Sequence, residues 1–461
     1  MRKILAGLIV ISMVPGAFAQ EAERQREEEL KQKLQTQEQV RKAAEEAKKT
    51  VVSEPFEAVT YEEVMKDPDN IELNFRYART QVTKGDILKA AGTLERILMV
   101  NPELPKVRLF YLSVLFRLDN LDDAEKELKI LTKQQLTKPM REELEGYVAQ
   151  IKQRRRKTRV GLTLTAGLDY DNNRNSASSS GIRLAANVPV ILDSASTRKG
   201  DATKTMNASV NVNHDLGYQA GHSLVTSLSY YRAEQTNIRT LNLQSYNASL
   251  GGTFKSPLVD VTPSMSFGHL LLAETTYQRS YGPSLRLDKR LSPRLSVFGT
   301  AGHQRQEYAR TQVVPTADQR TGDQHSGGAG FNYAVARGLS LAVSYTHTLQ
   351  GAREGFNAYQ REALSVSMTK VLAQGRFAVL TLAPQFDGYR AADPSISPKR
   401  RQDHTYRANL SFGTPLGFIS SALNPFLMTL AYEYFHGRSN IPNNAYTNNK
   451  VSASLTYRLD L

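Results

Sequence analysis

The eight histidines are the side chains in this sequence best suited to acid–base or metal chemistry. They are scattered along the chain, at His214, His222, His269, His303, His325, His347, His404 and His436. None belongs to an HExxH motif, a GxSxG motif or a two-histidine-plus-carboxylate pattern. A histidine without an orienting motif is a polar filler more often than a general base. The sequence therefore predicts no catalytic residue, no enzyme activity and no cofactor.

A stretch rich in Asp and Asn, LDYDNNRN at 168–175, is the remaining candidate for metal binding. Its oxygen atoms are the ligands that calcium prefers. Asn and Asp are also common where a strand ends in a turn, and we favour that interpretation. The chain has no cysteine, so neither a disulfide nor a thiolate metal site can form. We therefore predict no metal site.

From residue 159 onward, apolar and polar residues alternate with a period of two, which is typical of strands with one apolar face. We predict fourteen strands of about the length that a tilted bilayer crossing needs. They lie at 159–171, 203–216, 222–233, 241–255, 259–272, 275–288, 295–308, 322–336, 339–350, 358–372, 375–390, 402–414, 425–437 and 447–461. The even count predicts that both ends lie on one side of a membrane.

The connections between these strands alternate in length. Those after even-numbered strands are mostly short, and those after odd-numbered strands are mostly long and polar, the fifth being a short exception near Ala273 and Glu274. Short periplasmic turns and long extracellular loops characterise an outer-membrane barrel. The chain also stops within the last strand, VSASLTYRLDL, which we expect to pair with the first strand and leave no open edge in lipid. Trp is absent, so the interfacial girdle must come from Tyr and Phe.

The N-terminal part differs in pattern. Residues 1–19 carry a basic start, a short apolar run and an AFA cleavage site, which predicts a secretory signal peptide. In residues 20–54, charged side chains would occupy every face of a helix, and we interpret this segment as a helical arm or spacer. No apolar run is long enough for a membrane-spanning helix, and the mean hydropathy is −0.43.

Residues 55–157 contain an internal repeat with an offset of 34 residues, which aligns DPDNIELNFRYA at 67–78 with NPELPKVRLFYL at 101–112. The small residues Ala90 and Ala124 recur where paired helices would cross. This period predicts a helical domain of tetratricopeptide type, with KPMREELEGYVAQIKQRRRK capping the stack. The fold class is therefore α+β and multidomain, with helical repeats followed by a 14-stranded antiparallel transmembrane barrel at 158–461.

The chain is basic, with a net charge of +14. A charged side chain on the lipid face costs about 2–4 kcal/mol at mid-bilayer, so we expect the basic residues of the barrel in the lumen, the loops and the rims. Lipopolysaccharide phosphates would attract many of them. A basic cluster at the join of helix and barrel should lie at the inner rim beside lipid head groups, and it comprises Lys152, Arg154, Arg155, Arg156 and Lys157.

The joined architecture resembles the surface lipoprotein assembly modifier family. The resemblance rests on NPELPKVRLFYLSVLFRLDNLDDAEKEL at 101–128, VAQIKQRRRK at 148–157 and LTAGLDYDNNRN at 164–175. It implies a Gram-negative outer-membrane translocator with a periplasmic helical domain. Its clients would be surface lipoproteins or secreted soluble proteins, and no nucleic acid is implied. The barrel-assembly machinery would be a partner during biogenesis.

The resemblance also implies a client-binding groove on the helical repeats and a basic lumen that receives the client. With the repeat geometry of the family, the groove candidates are Glu72, Phe75, Arg79, Lys106, Leu109 and Arg117. Two alternatives remain. A polysaccharide exporter also joins such repeats to a barrel, although with a longer repeat array, and a small-solute porin would use the helical domain as a plug or anchor.

Overall fold

The computed structural model describes residues 57–194, 196–217 and 221–460, without the side chains of residues 153–155. The predicted signal peptide and the charged arm at 20–54 lie outside these residues. The chain divides into a helical unit that ends at Lys157 and a β unit that begins at Thr158.

The helical unit contains six helices within the described residues. They are α1 (Tyr61–Lys66), α2 (Ile71–Lys84), α3 (Ile87–Val100), α4 (Pro105–Arg117), α5 (Leu121–Leu131) and α6 (Lys138–Arg155). Capping residues define helix ends. Thr60 and Glu63 form a capping box at the start of α1. Gly85 ends α2 with φ of 89°, a conformation that glycine adopts without steric cost. No helix in the described ranges is both long and apolar enough to cross a membrane.

After α1, the remaining five helices form two antiparallel pairs and a final helix around one apolar core. The second pair, α4 and α5, follows the first pair, α2 and α3, at the offset of 34 residues. Ala90 and Ala124 are fully buried, as the close helix crossing requires. The rings of Phe75 and Phe110 meet edge to face with centroids 5.5 Å apart. The tetratricopeptide character of this unit stays a prediction.

Helix α6 packs on the same core, through Leu144, Tyr147 and Ile151. The Tyr147 ring meets Phe116 of α4 at 5.7 Å between centroids. Burial raises the pKa of the Tyr147 hydroxyl to about 12, because desolvation disfavours the phenolate.

The β unit is a closed barrel of fourteen antiparallel strands in the order β1, β16, β15 and so on down to β4. The strands are β1 (Thr158–Asp171), β4 (Asp201–Asp215), β5 (Ser223–Gln235), β6 (Leu243–Thr253), β7 (Asp260–Leu272), β8 (Thr275–Arg290), β9 (Leu295–Tyr308), β10 (Gly322–Ala336), β11 (Leu339–Gln350), β12 (Tyr359–Val371), β13 (Phe377–Ala392), β14 (Arg400–Pro415), β15 (Phe426–Ser439) and β16 (Tyr446–Asp460). The fourteen predicted strands agree with these bounds to within two residues.

The last strand closes the barrel, as predicted. β16 pairs antiparallel with β1 from Gly161 opposite Asp460 to Asp171 opposite Lys450. Inside the barrel, the hydroxyls of Thr165 and Thr456 are 3.0 Å apart across this seam. Closure satisfies the backbone hydrogen-bonding groups that an open edge would expose to lipid.

The first long connection contains a hairpin that the sequence pattern did not predict. β2 (Ile182–Ala185) and β3 (Val188–Ile191) form a separate two-stranded sheet. The turn between them places Ala186 and Asn187 at φ of 47° and 64°, as a type I′ turn requires. Each strand has only four residues within a long polar connection, so the apolar–polar alternation is too short to predict a strand.

Candidate functional site

The alternation along each strand separates two faces of the barrel wall. One face carries exposed apolar side chains such as Leu168, Leu228 and Tyr345. The opposite face carries Ser, Thr, Asn, Gln and Gly, for example Thr203, Ser245 and Thr369, which are buried. Because lipid accepts the apolar face and water the polar one, the polar face lines the lumen.

The lumen is polar but is not the basic channel that we predicted. Its cations lie beside carboxylates of the same wall, which cancels much of their charge. The pairs are Lys450–Asp169 at 3.5 Å, Arg361–Asp387 at 2.7 Å, Arg407–Glu433 at 3.7 Å, Arg286–Asp288 at 2.7 Å and Arg401–Asp403 at 2.8 Å. Two of these pairs read Arg-x-Asp in the sequence, a spacing that puts both side chains on one face of a strand and could have revealed the pairing.

Two arginines of this wall also stack on tyrosine rings. Arg361 lies 4.8 Å from the centroid of Tyr359, and Arg401 lies 4.5 Å from that of Tyr389. Each guanidinium thus meets both a carboxylate and an aromatic face. These side chains form a polar wall toward the ends of β12, β13 and β14 that carry the long connections.

The connection between β9 and β10, residues 309–321, folds against the lumen-facing side of the wall, and we call it the mouth loop. Its Val314 and Ala317 are fully buried in an apolar cluster with Leu270, Leu272 and Tyr277. The Arg320 guanidinium donates to the Tyr277 hydroxyl at 3.3 Å. The mouth loop therefore docks into the barrel through an apolar contact and a hydrogen bond.

The short fifth connection lies beside the docked mouth loop. Ala273 and Glu274 form a tight turn with φ of 47° and 66°, and Leu270, Leu272 and Tyr277 flank it. The run Leu270-Leu271-Leu272 breaks the alternation, because both faces of β7 become apolar there. That break was the available sequence signal for an apolar contact inside the barrel.

Three long connections interlock at the same end of the barrel. The backbone amides of Ala186 and Asn187 donate to Ser395 and Ile396, each at 2.8 Å. The Leu184 amide donates to the Asn443 side chain at 2.6 Å, and the Asn443 amide donates back to the Leu184 carbonyl at 3.0 Å. The β2–β3 hairpin thus joins the connections at 393–399 and 440–445.

The Asp- and Asn-rich stretch at the end of β1 holds together the start of the connection between β1 and β4. The Asn173 side chain accepts from the Ala177 amide at 3.0 Å and donates to the Ala177 carbonyl at 3.1 Å. Asp171 forms an ion pair with Arg174 at 3.2 Å. Within the described ranges, no group of three or more His, Cys, Asp or Glu side chains could hold a metal ion.

Six of the histidines lie on the outward, apolar face of the barrel rather than in the lumen or loops. They neighbour other rings there: His404 and Phe386 lie 4.8 Å apart between centroids, and His303 and His325 lie 4.7 Å apart with their planes tilted by 41°. The six are His269, His303, His325, His347, His404 and His436. In this chain without Trp, histidine therefore shares the interfacial belt with Tyr and Phe.

The structure separates the predicted groove residues into two groups. Phe75 and Leu109 are 4% and 1% exposed and belong to the core of the helical unit, and Arg79 is 6% exposed. Glu72, Lys106 and Arg117 are exposed on α2 and α4. Only the second group is exposed in this conformation.

The predicted inner-rim cluster lies at the end of α6 and immediately before β1. Lys152, Arg156 and Lys157 are exposed. The side chains of Arg154 and Arg155 lie outside the described atoms, although both residues belong to α6. The position of the cluster beside lipid head groups stays a prediction.

A family profile described as SlipAM, surface lipoprotein assembly modifier, matches residues 162–457. The match covers well over half of the chain and spans the barrel from β1 to β16. The chain belongs to the surface lipoprotein assembly modifier family. No curated protein sequence matches it.

Solved outer-membrane proteins resemble this family member at low identity. OccAB3 of Acinetobacter baumannii aligns at 8% identity and a TM-score of 0.35, covering 66% of this chain and 99% of that one. OprD of Pseudomonas aeruginosa aligns at 8% identity and a TM-score of 0.34, covering 66% and 94%.

Membership of the surface lipoprotein assembly modifier family, together with the closed barrel, places the chain in a Gram-negative outer membrane. It implies a role in surface lipoprotein assembly and hence a lipoprotein client. The family and the fold are those of a membrane barrel and not of an enzyme class. Since long connections of such barrels face outward, the mouth loop and the interlocked loops lie at the extracellular end.

Proposed function

We propose that this protein delivers specific client proteins across the outer membrane, with the helical unit binding the client and the barrel acting as its conduit. The clients would be lipoproteins destined for the surface or soluble proteins destined for the medium. The family match over 162–457 carries this proposal, because its description names surface lipoprotein assembly. The helical unit before the barrel supplies a separate surface for recognition.

Client docking would use the exposed polar residues of α2 and α4. Glu72, Lys106 and Arg117 are accessible, so charge reversal at these positions should weaken docking without disturbing the core. We expect K106E/R117E to lower surface display of the client while barrel levels stay unchanged. K89E/K129E is the matched control, since Lys89 and Lys129 are 72% and 70% exposed on α3 and α5. Equal display in both variants and the wild type would contradict the groove assignment.

Passage would follow the polar wall of the lumen. Paired charges and small hydroxyl side chains offer few strong binding sites to a passing chain, so a client would not be held in transit. The docked mouth loop would have to move for a polypeptide to leave. Because no nucleotide motif is present, client folding or binding outside the cell would supply the driving force.

The decisive experiment is a deletion strain analysed by comparative proteomics of the surface-exposed and secreted fractions. We expect one or two proteins to disappear from these fractions, to accumulate in the periplasm and to return on complementation. An unchanged profile would contradict the proposal and favour the exporter or the porin.

Planar-bilayer recording separates a conduit from a porin. The mouth loop buries Val314 and Ala317 against the wall, so we expect the purified protein to show little or gated conductance. Steady, large conductance in every insertion would instead indicate a passive pore for small solutes.

Biogenesis would involve the barrel-assembly machinery. The last strand, β16, alternates to its end and pairs with both β15 and β1, as a strand that completes closure must. Outer-membrane lipid and lipopolysaccharide would surround the outward face.

A further inference from the structure

A concave site lies on the outward face of the barrel at its extracellular end, and we call it the rim pocket. Its volume is about 450 Å³. It is lined mainly by Arg305, Asp323, His325, Leu349, Arg353 and Arg390. Register places Arg305 opposite Asp323 and His325 opposite Leu349. These four residues share the outward face of Tyr345, which is 47% exposed, so this side of the pocket faces lipid.

Three arginines from separate parts of the chain line the rim pocket. Arg305 belongs to β9, Arg353 to the connection between β11 and β12, and Arg390 to β13. Asp323 is the one carboxylate among the lining residues, and it lies 3.0 Å from Arg305. The pocket is therefore cationic.

Two of these arginines are available to a ligand. Arg353 is 62% exposed and forms an ion pair of 3.7 Å with Asp318, a carboxylate that Arg310 contacts more closely, at 2.9 Å. Arg390 is exposed, and within the described residues its side chain makes no hydrogen bond or ion pair. Guanidinium groups bind phosphate oxygens in a bidentate manner.

The surroundings of the rim pocket select an amphiphile. The pocket lies at the level of the interfacial belt, between His303 and His347, where lipid head groups meet the barrel. Nearer the centre of the barrel wall, the same face continues with Tyr345 and Leu364, which are 47% and 39% exposed. An anionic head group would meet the arginines while an acyl chain lay along this apolar wall.

We propose that the rim pocket binds a phosphate group of lipid A, the phosphorylated glycolipid anchor of lipopolysaccharide. Lipid A is the anionic amphiphile of the outer leaflet, and it matches both the charge and the depth of the site. Outer-membrane location is sufficient for this proposal. It does not depend on client delivery, and either proposal can fail without the other.

The test compares two triple variants of the full-length protein in nanodiscs, with diphosphoryl lipid A as the probe and bound lipid counted by native mass spectrometry. R305Q/R353Q/R390Q removes the three pocket charges. R232Q/R279Q/R438Q removes three outward-facing arginines from β5, β8 and β15 that do not line the pocket. We expect the pocket variant to lose at least about tenfold in affinity, as the loss of several charge-assisted hydrogen bonds implies, and the control to change by less than about twofold.

Equal losses of lipid A affinity in both variants would show that lipid A is attracted to the whole rim and would overturn the proposal. Unchanged affinity in both variants would overturn it as well. Heat-modifiable migration on gels checks that each variant forms a barrel.

Should the pocket variant fail to assemble, the wild type still provides a test. Its affinity should fall about tenfold for dephosphorylated lipid A and for phosphatidylglycerol, and a photo-crosslinker at Leu349 should capture diphosphoryl lipid A. Equal binding of all three lipids, or no capture at Leu349, would refute the site.

Discussion

Single residues decide which part of the helical unit a client could contact. Phe75 and Leu109 occupy equivalent positions in the two repeats, and both point into the core. Apolar residues at a 3.6-residue period predict a buried helix face. This pattern describes the burial of the two residues better than the repeat geometry of the family, which suggested that they line a groove. The exposed charges Glu72, Lys106 and Arg117 were predictable as surface residues, whereas their role is not visible in any sequence pattern.

Leu109→Ala should therefore destabilise the helical unit and not merely weaken client binding. Leu109 is 1% exposed, and a buried Leu→Ala change leaves a cavity that costs about 2–5 kcal/mol. We expect urea denaturation, followed by the helical circular dichroism signal of the full-length protein, to show this loss. Lys106→Ala on the same helix is the control. A change below about 1 kcal/mol in the Leu109 variant would show that the site collapses around the cavity or is not core.

The Tyr147 hydroxyl makes the helical unit sensitive to alkali. Its pKa is raised to about 12 in the fold, against about 10 in an unfolded chain. The contribution of the neutral hydroxyl to the free energy of unfolding is complete below about pH 10 and is lost as the pH rises through about 12. Tyr147→Phe should reduce the fall in urea midpoint between about pH 9 and about pH 11.5. An identical fall in the variant would assign the alkaline sensitivity to other groups, such as Tyr111, whose pKa burial also raises to about 12.

Among the elements, the strands were the most predictable and the loops the least. Period-two alternation fixed every barrel strand to within two residues, because one face must be apolar for lipid and the other polar for water. The mouth loop was not predictable, since Val314 and Ala317 contact Leu270 and Leu272 far away in the sequence. Contacts between loops leave no periodic signal in either segment.

Burying a charge in the mouth loop should undock it. Val314→Asp would place a carboxylate in an apolar cluster where Val314 is fully buried, at a cost of several kcal/mol, so the loop should leave the wall. We expect larger and more frequent open levels in planar bilayers than for the wild type. Gln312→Asp adds the same charge at an exposed position of the same loop and should leave conductance unchanged. Equal traces for the two variants would mean that the loop does not limit the pore.

At the scale of the whole molecule, the chain is two units with separate cores joined at the basic segment before β1. The apolar core of the helical unit contains residues from 75 to 151, and the barrel closes through its own first and last strands. The change of period near residue 159 marked this division in the sequence. The two Arg-x-Asp pairs of the lumen could have been found from the sequence, because each lies within one strand. The charge pairs between strands and the interlocking of the loops could not, since they depend on strand register and on contacts between distant segments.

Removing residues 57–155 from the full chain should leave barrel assembly intact, because all fourteen barrel strands and the β1–β16 seam remain. We expect heat-modifiable migration and outer-membrane fractionation like those of the wild type, together with loss of client display. Normal display without the helical unit would contradict its role in client binding. Loss of the folded barrel would show instead that the helical unit is needed for assembly.

The interlocked loops have an immunological consequence. The surface presented to an antibody combines residues near 184–187, 395–396 and 443, which backbone and side-chain hydrogen bonds hold together. It is therefore a discontinuous epitope. Serum raised against a linear peptide from any one of these loops should recognise the denatured chain well and intact cells poorly, so a vaccine antigen based on this protein would need the folded barrel.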